Sequence, residues 1–298
     1  MLKKFFLGIS FILILTASFW YIFIALKEKP MLQEDIISAY QYEKVQQLNF
    51  VLTKISPRTF HFTFNSFDGD IVKGQISYPE EKSDNYPVMV GVSAMGRGYA
   101  RWWTDSFKGR PTVTQVNKIT DLVTQKGYVV IAIDARFHST RKDPQHSLRS
   151  IMNDLYFFGD KEPYQAMIHD TIIDYRVLLD WIEKQPDLNS NKIIVVGYSM
   201  GGQISLLLGA LDERVTEVIS IVPPFIDDKI ALVAPKNVIS LLDQKPVLMI
   251  TASDDENATN SENEYLYQLI PSANKNRIDF DSGHILPEGY VEALNDSF

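Results

Sequence analysis

The sequence contains no cysteine. That excludes disulfides, thiolate catalysis and cysteine-ligated zinc or iron–sulfur sites, and it leaves the compartment open. Basic charge is also in short supply: 29 Lys and Arg stand against 37 Asp and Glu, for a formal net charge of −8. Nucleic-acid binders normally present a basic face, so that class is set aside. There is no metal-ligand spacing and no dinucleotide fingerprint, and no cofactor is expected. Repeats at solenoid periods and low-complexity tracts are missing as well. Histidine is scarce, with five in 298 residues. What is present is a chain of ordinary composition, 45% hydrophobic, long enough for one large α/β domain with a well-buried core.

One long apolar run stands out. Residues 5–26 read FFLGISFILILTASFWYIFIAL, with Lys3 and Lys4 before them and Lys27, Glu28 and Lys29 after. As a helix the run would be about 33 Å long, enough for a bilayer core of roughly 30 Å. A signal-peptide core is shorter, about 7–15 residues. The expectation is an uncleaved signal anchor over residues 1–27, a single transmembrane helix with Trp20 and Tyr21 near an interface. Lys3, Lys4 and the amino terminus outweigh the partly neutralised Lys27-Glu28-Lys29, so the positive-inside rule places the catalytic domain extracytoplasmically. Residues 28–56 are polar and helix-prone, and read as a stalk or covering helix.

From residue 57 to 298 the pattern is that of one domain. Alternation at 58–64 and 71–78 flanks Asp68-Gly69, a hairpin signal. Continuous apolar runs at 87–93, 128–133 and 192–196 read as buried parallel strands. Further strands are expected at 215–222, 246–251 and 277–280, and helices at 113–126, 164–185, 199–211 and 262–269. Strands alternating with helices imply a mostly parallel twisted sheet with helices on both faces. In such sheets ligands bind at the carboxyl ends of the strands.

The chemistry concentrates there. K-I-I-V-V-G-Y-S-M-G-G, residues 192–202, runs from a strand through G-x-S-x-G into a helix, the pattern of a nucleophile elbow with Ser199 at its tip. Gly197 and Gly201 leave room for the sharp turn, and the helix N-terminus favours a developing oxyanion. A glycine-rich phosphate-binding turn is the competing reading of the same context. In this arrangement the order is serine, then acid, then histidine. Of His61, His138, His146, His169 and His284, only His284 follows Ser199. The acid belongs in the A-S-D-D-E-N loop after strand 246–251, where Asp254, Asp255 and Glu256 compete. Two backbone N–H groups complete an oxyanion hole: Met200, next to the nucleophile, and by position Met95 in the S-A-M-G-R-G loop.

With these motifs in place, residues 58–298 resemble the α/β-hydrolase superfamily, in particular acetyl-xylan-esterase-like and prolyl-oligopeptidase-like members. The stretch H-D-T-I-I-D-Y-R-V-L-L-D-W-I-E-K before the elbow and the tail G-H-I-L-P-E-G-Y-V carry the likeness. A-S-D-D-E-N-A is similar to the family's G-x-x-D-x-x-V, with Ala252 for Gly, and this aligns Asp255 with the acid. I-D-A-R-F-H-S resembles D-x-R-G-x-G-x-S, with Phe137 and Ser139 replacing both glycines. The resemblance implies an α/β-hydrolase fold and a catalytic triad of Ser199, Asp255 and His284.

Insertions at 137–163 and 223–245 have the size of a lid, and Trp102 and Trp103 are candidates either for an acyl pocket or for plain core. The leading expectation is a serine esterase acting on a small-molecule acyl substrate. A serine peptidase of the same fold and a catalytically silent binding protein are the alternatives.

Overall fold

A computed structural model describes residues 2–298. Nine strands form one sheet: β1 (Val51–Ser56), β2 (Thr59–Asn65), β3 (Ile71–Ser77), β4 (Tyr86–Val92), β5 (Val129–Ile133), β6 (Leu188–Tyr198), β7 (Glu217–Ile221), β8 (Val247–Ala252) and β9 (Lys275–Phe280). Their spatial order is β1-β2-β3-β5-β4-β6-β7-β8-β9. The first three strands are an antiparallel meander that joins β5 antiparallel, and the other pairings are parallel. The chain reverses direction of travel at β4, next to β6, and the strands there end where the motif residues begin. This is the mostly parallel sheet expected from the strand and helix periodicities.

The apolar runs are buried on both faces because strand side chains alternate. The helices are α1 (Leu2–Phe23), α2 (Gln33–Ala39), α3 (Val116–Gln125), α4 (Leu148–Asn153), α5 (Glu162–Ile182), α6 (Met200–Leu211) and α7 (Asn260–Leu269), and Val88, Val90 and Val92 of β4 point into a cluster with α5 and α6. Met89 of the same strand points the other way, to Ile119 and Val123 of α3 (Val116–Gln125) and to Tyr290 and Leu294 near the C-terminus. Trp102 is fully buried in that second cluster, its ring against Gly91, so it is part of the core.

The transmembrane part of the expected fold does not hold. Among the described residues no helix is long and apolar enough to cross a membrane. The signal anchor, the single-pass membrane location and the extracytoplasmic placement lose their support with it. The apolar run is instead divided between a helix and the globular domain. The helix α1 (Leu2–Phe23) stops where Lys27 folds back over Tyr21, donating to its carbonyl at 2.5 Å. Trp20 donates its indole N–H to the Phe157 carbonyl at 2.6 Å, and Leu26 packs against the larger core cluster. The Ile24 carbonyl lies so close to Gly159, which has φ +66°, that a Cβ there would meet it at 1.9 Å. Lys29 N–H then donates to Asp228 O at 2.9 Å. Composition announced the apolar surface but not its partner, and contacts across more than a hundred residues of sequence decide that.

Candidate active site

Ser199 sits between β6 and α6 with φ 58° and ψ −120°, a conformation that a side chain rarely adopts. The turn is possible because glycines stand two residues away on either side. A Cβ on Gly197 would meet the Gly201 carbonyl oxygen at 2.0 Å, and one on Gly201 would meet the Val92 carbonyl oxygen at 2.1 Å. The Ser199 N–H is held by Ile221 O at 2.8 Å, which ties the elbow to β7. The side chain is left partly exposed at the carboxyl edge of the sheet.

His284 reaches it from the loop after β9. Its Nε2 lies 2.7 Å from Ser199 Oγ, and its Nδ1 lies 2.9 Å from both oxygens of Asp255. An ionised carboxylate only accepts, so Nδ1 carries the proton and Nε2 is free to accept from the serine hydroxyl. Asp255 is buried, whereas Asp254 and Glu256 are exposed. Burial therefore separates the three carboxylates that the residues alone left in competition. Asp255 also accepts the Asn257 N–H at 2.8 Å. The two loops are zipped together by Ser253 N–H to Phe280 O at 2.9 Å and Asp254 N–H to Ser282 O at 3.0 Å.

Met200 is buried and is the first residue of α6, so its N–H has no carbonyl one turn back within the helix. Met95 lies three residues beyond Val92, and the Val92 and Ser93 carbonyls press on Gly201. Both expected oxyanion donors thus sit on backbone that packs around the elbow.

One feature escaped the sequence reading. Tyr198, just before Ser199, donates its hydroxyl to His284 O at 2.8 Å and accepts the Leu286 N–H at 3.1 Å. It clamps the histidine loop across 86 residues of sequence. Burial pushes its hydroxyl up to about 12, so it stays a protonated donor. Its signal was present only as the x in G-x-S-x-G.

The I-D-A-R-F-H-S loop, read in the sequence as departing from the family pattern at Phe137 and Ser139, keeps that pattern's backbone. Phe137 and Ser139 have φ 62° and φ 48°, so the backbone keeps a left-handed form at both positions where the family pattern has glycine. Hydrogen bonds hold it there. Asp134 accepts from Thr140 Oγ1 at 2.7 Å and from the Tyr99 N–H at 3.0 Å, which links this loop to the one carrying Met95. Arg136 and Arg141 converge on Asp174, whose side chain is fully buried, at 2.7 and 2.6 Å. Among the described residues no group of three or more His, Asp or Glu is placed to hold a metal ion.

Fold and site geometry together define an α/β-hydrolase. The Dienelactone hydrolase family matches residues 107–281, more than half of the chain, and the chain belongs to that family. It is a hydrolase. The matched segment includes Ser199 and Asp255 and ends three residues before His284. Among curated proteins, "Putative hydrolase YtaP" of Bacillus subtilis (strain 168) is 26% identical over 137 residues, 46% of this chain and 43% of that protein. The alignment therefore spans less than half of that relative's length. Acetyl xylan esterase 1 from Thermoanaerobacterium sp. JW/SL YS485 is similar in structure, with a TM-score of 0.70 at 17% identity, covering 92% of this chain and 95% of that one. An acetyl xylan esterase from Paenibacillus sp. R4 gives a TM-score of 0.64 at 14% identity, covering 91% and 96%. At these identities the likeness is one of fold.

Proposed function

We propose that this protein is a serine carboxylic ester hydrolase that works through an acyl-enzyme. One observation carries the reading: an unbroken hydrogen-bonded line from buried Asp255 through His284 to the Ser199 hydroxyl, at 2.9 and 2.7 Å.

His284 Nε2 takes the Ser199 proton as Oγ attacks the ester carbonyl. The carbonyl oxygen becomes an oxyanion, held by the N–H groups of Met200 and Met95. Asp255 keeps the imidazole in the Nδ1–H tautomer and stabilises the imidazolium. The tetrahedral intermediate collapses, the C–O bond to the alcohol breaks, and His284 gives its proton to the leaving alkoxide. Water enters, His284 takes one of its protons, and the resulting hydroxide attacks the acyl carbon. Collapse releases the carboxylic acid and returns the proton to Ser199 Oγ. No cofactor is needed for this sequence.

Partitioning with an added alcohol tests it. With methanol present, esters sharing one acyl group but differing in leaving group are expected to give the same ratio of methyl ester to acid, because all pass through one acyl-enzyme. A ratio that varied with the leaving group would mean direct attack by water and would overturn the reading. Peptide anilides in the same assay separate an esterase from a peptidase: turnover of anilides above that of the esters would favour the peptidase.

A further inference from the structure

We propose that the cavity walled by the N-terminal segment is the acyl pocket, and that the enzyme prefers esters of linear, medium-length aliphatic acids over acetates. The proposal rests on the serine-esterase reading above. The cavity has a volume of about 350 Å3, at the lower end of the size range of small-molecule pockets. Trp20 and Leu26 form one wall, Leu155 and Tyr164 a second, and Phe225 and Ile226 a third. The two charged side chains that also line it, Asp227 and Lys229, neutralise each other at 2.6 Å.

Its position relative to Ser199 follows from two hydrogen bonds. Tyr164 donates its hydroxyl to Gln203 Oε1 at 3.0 Å, and the Gln203 N–H bonds to Ser199 O at 3.1 Å, so this wall stands one helical turn from the nucleophile. Phe225 N–H bonds to Asn257 O at 3.0 Å, and Asn257 N–H bonds to Asp255, so another wall borders the acid loop. The side on which the cavity lies assigns it to the acyl group. The leaving oxygen must reach His284 Nε2, and the His284 loop is clamped by Tyr198 and Leu286, which belong to the core cluster on one sheet face. Leu155 and Tyr164 belong with Met200 to the cluster on the opposite face. An acyl chain leaving the carbonyl away from His284 is directed toward the face on which the cavity lies. Trp20 is fixed there by its bond to Phe157 O, so the N-terminal segment is part of the wall.

Steady-state kinetics of the full chain on p-nitrophenyl acetate, butanoate and octanoate test this. Each buried methylene is worth about fourfold in binding, so octanoate should exceed acetate in kcat/KM by about tenfold or more. Filling the cavity by Leu155→Trp, or by Ile226→Trp at a half-buried position, should lower the octanoate-to-acetate ratio by about tenfold. Octanoic acid should inhibit the wild type more strongly than either variant. Wild-type preference for acetate, or an octanoate-to-acetate ratio unchanged in both variants while esters are still hydrolysed, would overturn the pocket and leave the esterase reading intact. Absence of turnover on every ester would overturn both.

Discussion

Ser199→Ala is expected to lower kcat for ester hydrolysis by about 10^6-fold, the scale seen when a triad serine is removed, with the melting temperature unchanged. The expected loss is large because the proposed mechanism routes every covalent step through the hydroxyl. The stability is retained because the elbow is built by other groups: Gly197 and Gly201, and the Ser199 N–H bond to Ile221 O at 2.8 Å. Alanine keeps the same Cβ at φ 58°, so the backbone strain is neither relieved nor increased. Steady-state kinetics and a thermal melt on the same preparation check both halves. Hydrolysis by the variant within tenfold of wild type would show that Ser199 is not the nucleophile.

Asp255→Asn is expected to cost about 10^4-fold in kcat. An asparagine amide turned toward His284 donates to Nδ1, which moves the ring proton to Nε2, and Nε2 then cannot accept from Ser199. Asp254→Asn and Glu256→Gln should stay close to wild type, since both side chains are exposed whereas Asp255 is buried beside the imidazole. A loss at Asp254 matching that at Asp255 would mean that the loop, and not one carboxylate, supports the base.

Much of this was legible before any coordinates. The parallel strands were visible as continuous valine and isoleucine runs, because strands covered on both faces are apolar throughout. The elbow was visible because a strained turn between strand and helix demands glycine at 197 and 201. His284 followed from order alone. Other features depend on contacts that no local pattern encodes. Adjacent carboxylates differ only in which one faces inward, so Asp255 emerged from the family pattern and from burial and not from residue type. Tyr198 looks like a filler residue until its hydroxyl is seen holding the His284 carbonyl. Phe137 and Ser139 break the glycine pattern, yet their backbone keeps the glycine conformation because Asp134 and Thr140 hold the loop. The apolar run at residues 5–26 is the clearest case. Read alone it suggested a membrane span, but among the described residues no helix is long and apolar enough to cross a membrane, and Trp20 and Leu26 meet partners far along the chain.

The central claim is that Ser199 is the nucleophile. Incubating the protein with a fluorophosphonate and mapping the modified peptide tests it most directly. The account predicts one adduct per chain, on Ser199, forming in step with loss of ester hydrolysis and absent from Ser199→Ala. An unlabelled wild type, an adduct on another residue, or equal labelling of Ser199→Ala would contradict it.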